Sequence, residues 1–313
     1  MITIQILTKN NEKTISTAIQ SALLPDTKLI VADLGSEDST VKICKQLGVN
    51  PLRFEKENRS EIRNELTKEG VNFYLEPWEI IINKDELFKV NKPSYVKIIK
   101  DKIVTKELRF WTNQKFVNPV FERISFNTDE ESNLNLYSLE DPSYHGYEKL
   151  ILNWIDEKPL DTDPIYYQCC LQLKNRQYDI FLKTAEYYLS ICKTQTMSVI
   201  MTRYYYAMVQ LMHNRLVRPS LQNLNLCLCE KPLMAEFWCL MADVYSQLLN
   251  NFDLAKEFYE NAIILGQKRL KTEKYPMEIE KYEKYPTLMI EECNKMLKAS
   301  KFNKYLQDDS QPQ

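Results

Sequence analysis

The residues best suited to chemistry stand at the ends of short apolar runs. Asp33 closes Leu29-Ile30-Val31-Ala32-Asp33, and Gly35-Ser36-Glu37-Asp38-Ser39-Thr40 follows it. In an open α/β sheet, ligands bind beyond the carboxyl ends of the strands, so a carboxylate there suits hydrogen bonds from a nucleotide base or ribose. Ser36 and Asp38 fit a structural role equally well, capping the helix that starts near Val41. A second pair of carboxylates, Glu76 and Glu79, brackets Pro77-Trp78 after the apolar run Val71-Asn72-Phe73-Tyr74-Leu75.

The elements that must position these groups alternate in type. Residues 2–7 read as a strand, 9–12 as a polar loop, and 14–24 as a helix with apolar residues three and four apart, ended by Pro25-Asp26. The Asp33 strand and its helix follow, closing at Gly48. This β-α-β-α order with short connections predicts parallel strands and a right-handed crossover. Residues 51–55 are a candidate third strand. Residues 60–68 read as a short helix capped by Ser60 and carrying Arg63-Asn64. Residues 71–75, 95–99 and 107–111 are strand-like, and 116–124 show no clear period. Residues 127–143 are rich in Asn, Asp, Glu and Ser, which places a domain boundary there.

From residue 147 the spacing becomes helical, in segments 147–155, 165–173, 178–192, 198–212, 221–229, 235–249 and 252–265. The order Trp238, Met241, Ala242, Tyr245, Ala255, Tyr259, Ala262 alternates large and small residues along a helix pair. It resembles a tetratricopeptide repeat, without the closing proline. Residues 271–286 are strongly charged and are expected to be solvated.

Composition narrows the function classes. The 313 residues suit two domains, and 41 basic against 43 acidic residues give a net charge of -2. No basic patch points to nucleic acid, no apolar run is long enough to cross a membrane, and no leader pattern opens the chain, so a cytoplasmic protein is expected. The eight cysteines form no Cys-x-x-Cys pair, which argues for reduced thiols and against zinc. Cys227, Cys229 and the Tyr204-Tyr205-Tyr206 run read as helix packing. His213 sits at a helix end, and His145 is a linker residue that either approaches a site or serves a loop. No Gly-x-Ser-x-Gly or Gly-x-Gly-x-x-Gly is present, which argues against a hydrolase triad and a dinucleotide site.

The ordered set Lys9-Asn10-Asn11-Glu12, Asp33, Gly35-Ser36-x-Asp38-x-Thr40 and Arg63-Asn64 resembles the family-2-type GT-A glycosyltransferases over about residues 1–125. The resemblance implies a nucleotide-diphospho-sugar transferase fold, Rossmann-like, at 1–125, then a linker at 126–146. A tetratricopeptide-like helical domain would occupy 147–302, with a disordered tail at 303–313. It implies that Lys9, Asn10, Glu12, Asp33, Ser36, Asp38, Arg63, Asn64 and Trp78 bind the donor, a UDP-sugar, with Arg63 near the diphosphate. The activity implied is hexosyl transfer to a glycan or protein acceptor, and the helical domain would present that acceptor or dock a protein partner.

Two departures qualify this. Family members end the next strand in Asp-x-Asp, which holds Mn²⁺ or Mg²⁺ on the diphosphate. Here the stretch is Glu76-Pro77-Trp78-Glu79, leaving Glu76 and Glu79 as the candidate ligands. Relatives also carry Val-His-Glu, matched here by Val120-Phe121-Glu122, so Glu122 and Glu79 are the candidate catalytic carboxylates. Three readings fit: a metal held by the two glutamates and water, Arg63 or a lysine in its place as the leaving-group cation, or a catalytically degenerate fold acting as a scaffold.

Overall fold

The computed structural model describes residues 1–55, 58–118, 123–124, 128–139, 147–270 and 277–308. The chain divides into two compact units, Met1–Trp154 and Ile155–Glu273 with Met277–Gln313. The expected class, an α/β region followed by a helical one, is found.

In the first unit, β1 (Ile2–Thr8) is buried along its whole length. Successive side chains of a strand point to opposite faces. Ile2, Ile4 and Ile6 therefore pack with Ile15, Ala18, Ile19 and Ala22 of α1 (Ile15–Ala22) and with Cys44 of α2 (Thr40–Gln46). On the other face, Leu7 joins Ile30 and Ala32 of β2 (Thr27–Asp33) and Ile62 and Leu66 of α3 (Arg59–Leu66). Helices thus cover both faces of a sheet ordered β3 (Leu52–Arg53), β2, β1, β4 (Asn72–Tyr74), β8 (Phe110–Trp111). The pairings β3–β2, β2–β1 and β1–β4 are parallel, and only β8 runs antiparallel. Thr8 pairs with Asp33, so the carboxyl ends of β1 and β2 are level.

A second sheet contains, in order, β7 (Ile103–Leu108), β6 (Tyr95–Lys100), β11 (Glu131–Ser138) and β5 (Glu79–Ile81). It contributes Ile81, Val96, Ile98, Leu134 and Leu136 to the same core as α1. A small hairpin pairs β9 (Phe116–Val117) with β10 (Arg123–Ile124). Three local expectations change. The run expected at 107–111 breaks at Arg109, with β7 pairing to β6 and β8 to β4. The expected linker holds β11, whose alternation of Asn133, Leu134, Asn135 and Leu136 is the signature of a half-buried strand inside a polar composition. The cap of α3 is Asn58 rather than Ser60, because its Oδ1 accepts the Glu61 N–H at 3.3 Å.

The helices are α4 (Tyr147–Glu157), α5 (Asp163–Lys174), α6 (Tyr178–Ile191), α7 (Met197–Asn214), α8 (Val217–Glu230), α9 (Ala235–Gln247), α10 (Phe252–Arg269) and α11 (Lys284–Asp308). Those of the second unit pack mainly on their sequence neighbours. Ala242, Ala255, Tyr259 and Ala262 are buried together between α9 and α10, as the large–small order predicts. Gly266 lets Tyr282 approach α10, since a Cβ there would stand 2.8 Å from the ring Cδ1. The expected solvated stretch at 271–286 is corrected in its second half. Met277 and Tyr282 are buried, and the Tyr282 hydroxyl donates to Glu236, which also takes Arg269 at 3.1 Å. Tyr282 brings its own acceptor partner, which is what allows a tyrosine among charges into a core.

Candidate functional site

At the level ends of β1 and β2, two loops hold one another through side-chain-to-backbone bonds. The Asn10 N–H donates to Ser36 Oγ at 2.9 Å, Asn11 N–H to Thr40 Oγ1 at 2.8 Å, and Glu12 N–H to Asp38 Oδ2 at 3.1 Å. In return Asn10 Oδ1 accepts the Glu37 N–H at 2.8 Å, and Glu12 Oε2 accepts the Ser39 N–H at 3.0 Å. Asn10 is held at φ +55, a left-handed conformation that asparagine tolerates. Burial works against the charge on Asp38, but bonds from Thr40 and the Glu12 N–H outweigh it and hold the carboxyl below its ordinary pKa. Four of the residues expected at a nucleotide are therefore the clasp between the loops. Lys9 stands exposed beside them.

Asp33 is 1% exposed. Its carboxylate accepts the Ser36 N–H at 3.1 Å and the Gly35 N–H at 3.3 Å, and pairs with Arg53 at 2.9 Å. Gly35 has φ +90, the region where glycine is needed to turn the chain back onto that carboxylate. Arg53 reaches over this turn from the largely exposed end of β3.

After β4 lies a denser set of charges. Glu76 Oε1 accepts Arg63 Nη2 at 3.0 Å, and Oε2 accepts Arg59 Nη2 at 3.0 Å. Arg109 Nη1 stands 4.0 Å from Glu76 Oε1. Arg109 Nη2 donates to Glu79 Oε1 and to Glu107 Oε2, both at 2.8 Å. The other oxygen of Glu79 accepts the Glu76 N–H at 2.9 Å. Arg63 and Arg109 also lie over the Tyr74 ring, 4.4 and 4.1 Å from its centre, where the ring's negative face attracts a cation. Burial pushes the Glu79 carboxyl up to about 7, with Arg109 pulling it back and Glu76 and Glu107 adding to the rise. Arg109, despite its burial, is held above its ordinary value by these carboxylates.

These groups do not fit a divalent cation. A metal bound by Glu76 would sit against the guanidiniums of Arg59 and Arg63, whose fixed positive charges repel it. Glu79 is turned inward and is nearly sealed from solvent. Among the described residues no group of three or more His, Cys, Asp or Glu is placed to hold a metal ion. Asn64 is also committed, since its amide accepts the Phe116 N–H at 2.8 Å and donates to the Phe116 carbonyl at 3.1 Å. Trp78 is half-buried in the turn between the two glutamates.

Glu122, with Val120 and Phe121, and His145 lie outside the described residues. His213 ends α7 and lies 3.1 Å from Asp179, a helix-end role. Sequence reasoning missed Arg53, Arg59 and Arg109. Arg109 left a signal: an arginine inside an apolar run is buried only when paired. Arg59, four residues before Arg63, stands one helical turn from it on the same face.

No family model matches the chain, and no curated protein matches it. Among solved structures, MamA (residues 41 to the end) from Desulfovibrio magneticus RS-1 is 16% identical at a TM-score of 0.39, over 55% of this chain and 89% of that one. PcrH, solved with the chaperone-binding region of PopB, is 12% identical at a TM-score of 0.32, over 43% of this chain and 93% of that one. Glucosyl-3-phosphoglycerate synthase from Mycobacterium tuberculosis, solved with Mn²⁺, UDP and glucosyl-3-phosphoglycerate, is 20% identical at a TM-score of 0.26. That match covers 32% of this chain and 44% of the synthase, so the chain spans less than half of that protein's length.

Proposed function

We propose that this is a glycosyltransferase-like protein that takes a nucleotide-sugar, a UDP-sugar first of all, and transfers its sugar to an acceptor hydroxyl. The observation that carries this reading is the meeting of three loops at one sheet edge. The Lys9–Glu12 loop, the Asp33–Thr40 turn and the Glu76–Glu79 turn follow the carboxyl ends of the adjacent parallel strands β1, β2 and β4. Neighbouring strands are about 4.8 Å apart, so the outer two loops are separated by about 10 Å, a span suited to a nucleoside diphosphate.

In this reading Asp33 accepts a base N–H, exchanging the exposed Arg53 guanidinium for it, and Lys9 flanks the ribose and phosphates. Transfer breaks the bond between the sugar's anomeric carbon and the diphosphate oxygen. The acceptor oxygen bonds to that carbon and gives its proton to a carboxylate, for which Glu122 is the candidate. The helical unit presents the acceptor or docks a protein partner.

A second reading, a degenerate glycosyltransferase fold that binds partners through its helices, is favoured by the commitment of both oxygens of Glu76 and of Glu79 to neighbouring groups. Calorimetric titration of the full chain with UDP and UDP-sugars, in EDTA and in Mn²⁺, separates the two. Binding in either condition, lost in Asp33→Ala, supports the donor site. Absence of binding in both refutes it and leaves the scaffold.

A further inference from the structure

We infer that Arg59, Arg63 and Arg109 form a metal-free site for a diphosphate, which Glu76 fills as an internal stand-in for the ligand. The inference rests on the nucleotide-sugar reading above and names the counter-charge of that same site.

The geometry is that of an anion cradle. Three guanidiniums from α3 and from the β7–β8 junction converge on one carboxylate, at 3.0, 3.0 and 4.0 Å. A carboxylate has two oxygens, and each already takes one arginine. Arg109 is 3% exposed, yet its Nε and Nη1 have no hydrogen-bond partner, and Nη1 points towards Glu76 from just beyond bonding distance. Buried donors of this kind are costly unless something accepts from them. A diphosphate offers more oxygens and more charge than a carboxylate, and arginine's planar fork matches phosphoryl geometry. The donors are thus set out for a larger anion than the one present.

The order of exposure gives the route. Glu76 has the most open side chain of the four, at 13%, against 7% for Arg59, 3% for Arg109 and none for Arg63. The carboxylate is the outermost layer, so an incoming anion replaces it by rotation of one side chain, with the arginines already in place. This also accounts for the poor fit to a divalent cation: the positive charge on the leaving diphosphate comes from the chain itself.

The test is calorimetric titration of the full chain with inorganic pyrophosphate and with UDP, each in EDTA and in Mn²⁺, for the wild type and Glu76→Gln. Pyrophosphate is expected to bind in EDTA, and Glu76→Gln, which keeps the size but removes the competing charge, to tighten it about tenfold. A metal-ligand role for Glu76 predicts the opposite sign. UDP that binds only with Mn²⁺ would overturn the inference and leave the nucleotide reading standing. Pyrophosphate that binds in EDTA while UDP fails would uphold the arginine site and remove the nucleotide reading. Failure of pyrophosphate to bind in EDTA overturns the inference. The wild-type titrations decide alone if Glu76→Gln does not fold.

Discussion

Replacing Arg109 with methionine tests the charge cluster through its pH dependence. Arg109 and Glu79 are both nearly sealed from water and meet at 2.8 Å. Removing one partner of such a pair strands the other, at a cost of about 3–5 kcal/mol. The sign with pH follows from Glu79. Burial raises its carboxyl from 4.5 to about 7, so the folded chain keeps that proton to higher pH than the unfolded chain does. This contribution favours folding below about pH 4.5 and is lost as pH rises to about 7, a swing of roughly 3 kcal/mol. In Arg109→Met at pH 8, Glu79 either stays charged without a partner or holds its proton against the solvent, so the full cost applies. At pH 5 the carboxyl is protonated in both proteins, and the cost shrinks to lost hydrogen bonds, about 1–2 kcal/mol. Hydrogen exchange of the β1 and β4 amides, corrected for intrinsic rates, measures the opening free energy of the α/β unit by itself. A cost equal at pH 5 and pH 8, or one unchanged in a Glu79→Gln background, would refute the buried pairing.

Other substitutions probe the remaining structure. Gly266→Ala is expected to lower the stability of the helical unit by about 1–2 kcal/mol, because crowding against the Tyr282 ring outweighs the gain in helix propensity; a rise in Tm would contradict the close approach. Thr40→Val removes the acceptor of the Asn11 N–H at a fully buried position and should cost about 1–3 kcal/mol, read as faster exchange in the 9–12 loop. With a thiol reagent at pH 8, exposed Cys229 should label first. Cys44, Cys170 and Cys227 should lag, since burial pushes their thiols up to about 11, 11 and 12. Mass mapping of the first label checks this order.

The periodic parts of the fold were legible in the sequence. Strands β1 and β2, helices α1 and α2, and the helix series from residue 147 follow from apolar spacing, because burial of one face or stripe dictates that spacing. Strand β11 was hidden because most of its residues are polar and its partners, Tyr95–Lys100 and Glu79–Ile81, are remote in sequence. The break at Arg109 was hidden for a related reason. The strand-like pattern runs through residues 107–111, and the break shows only in the change of partner from β6 to β4, at the residue whose guanidinium pairs with Glu79.

The candidate site shows where motif reading stops. A motif states which residue types stand near one another, and the role of a carboxylate depends on what else comes within about 4 Å of it. Glu76 reads as a metal ligand from its place after β4. Arg59 and Arg63, a helix away, turn it into an ion-pair partner, and Arg109, more than thirty residues on, adds a third charge. The loop residues show the same principle with hydrogen bonds. Asn10, Glu12, Ser36 and Asp38 all have the polarity a nucleotide would need, but each also satisfies or is satisfied by a backbone group across the clasp. Holding the loop walls and touching a ligand draw on the same residue types, so residue type alone does not tell the two demands apart. Asp33 differs from those four loop residues in one physical respect: its ionic partner, Arg53, is itself 63% exposed and can swing into solvent, while the Gly35 and Ser36 N–H groups stay on the buried carboxylate. In the proposed function a base N–H takes the place of that guanidinium, which makes Asp33 the carboxylate on which the nucleotide reading stands or falls.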